Sequence, residues 1–421
     1  MAFDTLPERD RALWAGHADD VIREYCCWPD RWLNAELHEQ IDPYQLVIDG
    51  IQFHYPPMSH PDYLYWGMTR TPTGPRPQPI LQSDNPHWRF FEQGARHYLT
   101  TIVDDLARNR TADAAKRLGI LLHFFQDTHT LHALEGPWGT DCFIIDRLLD
   151  LPQDGPHELT ALDLLDKTMR TEGDITHHAP RLEGTTIGEA VFRLYQRYVD
   201  SALENRKLHV PLVYAAMEHD EPRLDALYRQ LHERLARLTA DVVHTVSALA
   251  HGTFDAGDTE HLQVVHLDEL EPLRRPWIIP GPYRFSAMVR GACLDAERRR
   301  HPLQLRQSNG SVQTFERGWG GGAHVAPLPI VHELPAGVYR QLQGQVGLHA
   351  ELGRGGCVQI AIELDGQTLV REEVSDGSPT VVIDVAVEQG GPLHLTAWRD
   401  PDGAGEAASA NLAWGDVRLL K

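Results

Sequence analysis

The apolar residues of this 421-residue chain change their period once, near positions 254–261, and that change limits the folds it can adopt. Upstream, FFEQGARHYLTTIVDDLARNR (90–110), ADAAKRLGILLHFFQD (112–127), IGEAVFRLYQRYVDSALENR (187–206) and LDALYRQLHERLARLTADVVHTVSALAHG (224–252) repeat apolar residues every three or four positions. That spacing lines them along one face of a helix. TRTPTGPRPQP (69–79) reads as a proline-rich loop, because proline cannot continue a helix. Downstream of FDAGDTEH (254–261), CVQIAIELDGQTLVREEV (357–374) alternates as a strand pair around a DG turn does. PTVVIDVAVEQGGPLHLTAW (379–398) reads as a second such pair around QGG. The expected fold class is α+β multidomain: an all-α domain at 1–256 followed by an all-β sandwich at 262–421.

Composition narrows the partners. A share of 42% apolar and 24% charged residues is that of a soluble globular protein. No apolar run reaches the roughly 18–20 residues of a membrane span, so no integral membrane association is expected. The net charge of −21 argues against binding a nucleic-acid duplex, which needs a basic surface. A metal-centred site would still hold a phosphate, because the cations dominate the field there. The start, MAFDTLPERDRALW, lacks the basic, apolar and cleavage regions of a signal peptide, so the expectation is cytoplasmic unless a leader has been removed. Five cysteines, at 26, 27, 142, 293 and 357, form no CxxC pair. The Cys26-Cys27 tandem reads as core packing. No Walker loop, dinucleotide glycine pattern or GxSxG elbow is present.

The chemistry concentrates in GILLHFFQDTHTLHALEG (119–136), an apolar run with three histidines and an aspartate inside it. A buried helix avoids such groups unless something satisfies them. His123 and Asp127, four residues apart, leave a helix on one face a turn apart, where an imidazole and a carboxylate chelate one divalent cation. The plainer reading is that the two hydrogen-bond each other in a helical core. His129 and His132 follow at a helix end. Earlier in the chain, CCWPDRW (26–32) puts Asp30 after a proline, DGIQFHYPPM (49–58) holds His54, and WAGH (14–17) sets His17 at the start of the first helix. Singly, these read as a cap, a loop histidine and a surface residue.

Together, His17, the WPD ending at Asp30, FHYPP with His54, and LGILLHFFQDTHTLH resemble the zinc-dependent phospholipase C and single-strand nuclease superfamily over about 1–140. The resemblance implies a helical fold around one to three divalent cations, zinc first among them. Asp30, His54, His123 and Asp127 would surround one metal, Asp127 would bridge to a second with His17, and His132 or His129 would begin a third. Asp30 and Asp127 would be the catalytic carboxylates, and Asp30 would act as ligand or general base. The chain departs from the family pattern in three places. Trp14 is internal, so it offers no terminal amine; the His17–Asp30 interval is short; and no downstream HxxxE or HxxxD completes the third site. His157, His177, His178, Glu183, Glu135 and Asp141 are the available substitutes. The implied reaction is metal-assisted hydrolysis of a small-molecule or lipid phosphoester.

Weaker signals read as structural. VDD (103–105) reads as a solvated acidic helix face, and His244 and His251, two turns apart, as core or surface histidines. In the β-region, ERGWGGGAHVAPLPIVHELPAGVYRQLQGQVGL (316–348), VQIAIELDGQTL (358–369) and ANLAWGDVRLL (410–420) resemble the NPCBM carbohydrate-binding module, which implies a galactose-binding-like sandwich and a possible glycan partner. Trp319 and His324 fall in a loop before a strand, where an aromatic face stacks on a sugar. Trp398 and Trp414 end apolar strand patterns and read as core. Two other functions fit the same residues: a non-hydrolytic binding protein on this scaffold, and an enzyme repurposed for lysis or cyclisation of a glycosylated or phosphorylated metabolite.

Overall fold

The computed structural model describes residues 2–28, 46–48, 51–53, 66–71, 74–79, 86–127, 173–273, 288–295, 297–323, 327, 329–399 and 410–421. The chain divides into two compact units, Met1–Thr259 and Glu260–Lys421.

In the first unit, α1 (Glu8–Leu13) and α2 (Ala18–Arg23) lead to a single 3-10 turn at Tyr25–Cys27. Two antiparallel hairpins follow, β1 (Leu46–Ile48) with β2 (Ile51–Phe53) and β3 (Trp66–Thr71) with β4 (Gly74–Pro79). The second hairpin corrects the expectation of an irregular loop at 69–79. Its prolines, Pro75, Pro77 and Pro79, fall at every second position of β4. Alternate backbone N–H groups of a strand point the same way, so all three missing donors share one edge.

Among the described residues, four longer helices build the core: α3 (Pro86–Ala107), α4 (Thr111–Asp127), α5 (Ile187–Met217) and α6 (Glu221–His251). Phe91, Phe124, Phe125, Tyr195 and Tyr198 meet there, with Phe124 stacked on Tyr198 at 4.2 Å between ring centroids. Helix α5 runs through Pro211 to Met217, beyond the end expected at 206. Leu212 and Ala215 pack there against Leu224, Leu227, Tyr228 and Leu231 of α6, and that burial outweighs the hydrogen bond proline removes. Asp220 caps α6 by accepting from the Arg223 N–H at 3.2 Å, and Gly252 ends it at φ 64°. The VDD segment corrects a second expectation: Asp104 is exposed, whereas Asp105 is buried and paired with Arg110 and Arg117.

Among its described residues, the second unit holds two larger β-sheets and two two-stranded ones. In chain order its strands are β5 (Val264–His266), β6 (Val289–Arg290), β7 (Cys293–Leu294), β8 (Arg300–His301), β9 (Leu303–Arg306), β10 (Val312–Phe315) and β11 (Gly318–Gly322). Then come β12 (Ile330–Leu334), β13 (Gln341–Leu348), β14 (Cys357–Leu364), β15 (Gln367–Ser375), β16 (Val381–Ala386), β17 (Gly391–Trp398) and β18 (Asn411–Leu420). One larger sheet runs β16-β13-β18-β11-β6, with β5 also on β18; the other runs β12-β17-β14-β15. The two-stranded sheets are β7 with β8 and β9 with β10. The expected DG hairpin is β14–β15, where Asp365 (φ 48°) and Gly366 (φ 75°) supply the positive angles of its turn. The expected QGG hairpin does not form. Strand β16 pairs with β13, whereas β17 pairs with β12 and β14. Alternating apolar residues look the same whether successive strands pair or cross to facing sheets.

The glycines of GWGGG are strand residues, and at Gly318 and Gly320 close approach leaves no room for a Cβ. Gly318 holds φ 128°, and a Cβ there would lie 1.9 Å from the carbonyl oxygen of Trp414 on the neighbouring strand. Gly318→Ala is therefore expected to destabilise the sandwich by about 3 kcal/mol or more. Urea unfolding of the full chain checks this, and an unchanged midpoint would contradict the close approach.

Candidate functional site

Helix α4 carries the residues on which the metal reading turns. Its buried face includes Leu118, Leu121, Leu122 and Phe125, and His123 lies within it at 5% exposure. Gly119 sits one turn before His123 on the same face. A Cβ at Gly119 would fall 2.7 Å from the Tyr25 carbonyl carbon and 2.9 Å from the Cys26 nitrogen. Glycine thus lets the 25–27 turn lie directly against the helix. Cys26 is buried and Cys27 half-buried there, with their sulfurs 3.9 Å apart, and Trp28 is buried just beyond. His17 precedes α2, the second helix rather than the first, and is half-buried.

Asp30, His54, His129, His132 and the side chain of Asp127 lie outside the described residues, as do His157, Glu135 and Asp141. Among the described residues, no group of three or more histidines, cysteines and carboxylates is arranged to hold a metal ion. The donor types expected around His123, imidazole and carboxylate, match zinc chemistry.

Two substitutes considered for the third metal position are committed elsewhere. His178 Nε2 lies 2.8 Å from Asp241 Oδ1, and Asp241 also accepts from the Arg181 N–H and from Arg197 Nη2, both at 2.9 Å. Glu183 is buried against Arg193 and Arg197, at 3.4 and 3.3 Å. Burial pushes its carboxyl up despite those cations. These groups dock the 173–186 segment onto α6. His244 and His251 likewise face α1: His244 Nδ1 is 2.6 Å from Asp10 Oδ2, and His251 Nε2 is 3.6 Å from Asp10 Oδ1. Trp14, buried, donates from Nε1 to Ser247 Oγ at 2.8 Å.

In the sandwich, the expectation for Trp319 is corrected. It lies on β11 with 0% exposure, so neither ring face is open for a sugar. His324 is outside the described residues. Trp414 is core, as its pattern implies, but Trp398 is half-buried, with the Arg371 guanidinium 5.6 Å from its ring centroid.

A different polar group occupies one edge of this unit. The Arg290 Cζ lies 5.1 Å from the Trp319 ring centroid, and its Nη2 donates to Leu270 O (3.0 Å) and Glu271 Oε2 (2.6 Å). On β12, in the facing sheet, His332 is 1% exposed and neither ring nitrogen has a hydrogen-bond partner. Burial, and then the charge of Arg290, push His332 down to about 3. By contrast, Asp295 accepts from His301 Nε2 (2.9 Å), Arg299 Nε (2.7 Å) and two backbone N–H groups, which hold it well below the usual carboxylate range. Burial pushes the Cys293 thiol up to about 12, so it stays protonated at neutral pH.

Residues 281–420 match the family model described as the NPCBM/NEW2 domain, which identifies the C-terminal region as a module of that kind. Similar solved structures include the CBM51 of Clostridium perfringens GH95 in complex with methyl-galactose, at 20% identity and TM-score 0.31, covering 37% of this chain and 99% of that one. The CBM51-2 and INT domains of C. perfringens ZmpB, in complex with GlcNAc, are 17% identical at TM-score 0.31, over 38% of this chain and 32% of that one. C. perfringens alpha-toxin from avian strain SWCP is 10% identical at TM-score 0.30, over 99% of this chain and 85% of that one. No curated protein matches the chain.

The buried His332 makes the sandwich acid-sensitive. Its folded pKa, about 3, lies below the ordinary 6.5, so the unfolded chain binds the proton first. The contribution is fully present above pH 6.5 and is lost as pH falls from there toward 3, at up to about 1.4 kcal/mol per pH unit. His332→Leu should flatten the fall of stability between pH 6.5 and 4, measured by urea midpoints against wild type. Parallel pH profiles would show that His332 is not buried in neutral form.

Proposed function

We propose that this chain joins glycan recognition by its C-terminal module to metal-dependent hydrolysis of a phosphoester by its helical unit. The match of residues 281–420 to the NPCBM/NEW2 model is the observation that carries the glycan half. Methyl-galactose and GlcNAc, present in two of the similar structures, are the first sugars to offer. Isothermal titration of the full chain should give saturable heat with at least one of them. Flat titrations with these and with a broad glycan panel would leave the sandwich as a docking domain.

The packing at Gly119 supports the hydrolase half. The 25–27 turn lies against Gly119, and Asp30 is four positions beyond Cys26 in the sequence, a chain reach of at most about 14 Å. His123 lies one helical turn, about 6 Å, along the same face. In this reading Asp30 and His123 would share one metal, and His54 and Asp127 would complete that position. His17 would serve a second cation, and His132 or His129 a third. A divalent cation there would acidify a bound water and polarise a phosphoryl oxygen. The chain itself fixes the helix that carries His123, because Phe124 and Phe125 pack against Phe91 and Tyr198 in the core.

Elemental analysis of the purified full chain should find zinc or a similar divalent ion, and bis(p-nitrophenyl) phosphate should turn over until a chelator is added. His123→Ala and Asp127→Asn should each weaken metal binding more than about tenfold and abolish turnover. Gly119→Val, which pushes the 25–27 turn off α4, should lower metal content without touching a ligand. Metal-free protein that gains no turnover on zinc addition would overturn the hydrolase half. A tightly bound cluster with no phosphoesterase activity would favour the repurposed-enzyme reading.

A further inference from the structure

We propose that the edge of the sandwich between β6, β11 and β12 binds a small inorganic anion of the halide class, held by Arg290, Trp319 and His332. This site is independent of the glycan and metal readings. Strand β6, beside β11, ends one sheet and β12 ends the other. The 270–273 segment touches both, since Leu270 O accepts from Arg290 and the Leu273 N–H donates to Val331 O next to His332. Arg290 is the hub: its guanidinium lies 5.1 Å from the Trp319 ring centroid and its charge bears on His332.

Arg290 Nε, Trp319 Nε1 and both nitrogens of His332 are buried and hydrogen-bonded to no protein atom. Buried polar atoms are rarely left this way, and four on three neighbouring residues call for a ligand. The chemistry of those atoms selects the class. Arg290 Nε–H and Trp319 Nε1–H only donate, and a neutral imidazole adds one more donor and one acceptor. A cation is excluded by the guanidinium and by the donor excess. A water accepting two of these hydrogen bonds must place two protons of its own, and a neutral His332 offers one acceptor for them. An anion takes every donor and needs to give nothing back. Trp319 and His332 are almost wholly enclosed, which limits the ligand to a small one, whereas Arg290 keeps 38% of its side chain exposed and marks the way in.

The test uses the full chain and bromide as the probe, with Trp319→Phe as the variant because it removes one N–H and keeps the ring. Anomalous diffraction from crystals grown in sodium bromide should place a bromide within hydrogen-bond distance of Trp319 Nε1 and Arg290 Nε. In solution, replacing gluconate by bromide at constant ionic strength should raise the unfolding temperature in a saturable way. Trp319→Phe should shift the half-saturating bromide concentration upward about fivefold, the loss expected for one hydrogen bond. A bromide-free map at this edge, no bromide-specific rise in unfolding temperature, or identical titrations of wild type and variant would each overturn the proposal. Should Trp319→Phe fail to fold, Arg290→Gln, which replaces the guanidinium at a partly exposed position, carries the same comparison.

Discussion

Helix α6 buries Asp241, His244, Thr245 and Ser247 within seven residues, and the helical unit is organised by what those side chains must bond to. A buried polar group without a partner costs about 1–3 kcal/mol, and a charged one more. Each of the four therefore draws in another part of the chain. Asp241 takes His178, the Arg181 amide and Arg197; Thr245 Oγ1 takes the Glu183 amide at 2.9 Å; His244 takes Asp10; and Ser247 takes the Trp14 indole. The apolar face of α6 sets its depth in the core, but these bonds set which segments lie against it. They fix the N-terminal helix and the 173–186 segment in register with one long helix, and so they determine where α1 leads the chain next.

This division explains what the sequence makes legible. The four long helices are visible because a 3.6-residue period is a local property, and the caps of α6, Asp220 and Gly252, are visible for the same reason. The Asp10–His244 pair is not visible, since 234 residues separate its members and neither has a motif around it. Asp105 illustrates the same limit. Two adjacent aspartates look equally solvated in the sequence, yet a helix turns successive residues by about 100°, and only Asp105 meets Arg110 and Arg117. Glu183 and His178, offered by the sequence as substitute ligands, are engaged for a related reason: their partners Arg193, Arg197 and Asp241 come from helices α5 and α6, which spacing around them does not record.

In the sandwich, glycine misleads in one place and informs in another. The run GWGGG resembles a loop by composition, and that is why Trp319 reads as an exposed platform. The neighbouring strand β18 comes so close at Gly318 that only a residue without a side chain fits, and the same proximity seals Trp319 inside. At Asp365-Gly366 the glycine reading is right, because a two-residue hairpin needs positive φ at both positions and the dipeptide supplies it. Glycine as a turn former follows from its own torsional freedom. Glycine as a spacer depends on a partner strand almost a hundred residues away, which no local pattern records.

The candidate sites of the two units differ in the same way. His123 and Asp127 announce themselves by spacing, and Gly119 adds the physical link that spacing lacks, bringing the Cys26 backbone onto the helix face that His123 shares. Arg290, Trp319 and His332 belong to three different strands; Trp319 and His332 fall within the 316–348 series, but Arg290 does not, and only the pairing of β6 with β11 brings it to Trp319. Their buried nitrogens carry a larger desolvation cost than anything in a sugar-facing surface would, because they are shut away from water. A fold keeps such a group when something satisfies it. The unpartnered nitrogens of Arg290 and Trp319 can only donate, and it is that chemistry, more than the identity of any one residue, from which the anion proposal follows.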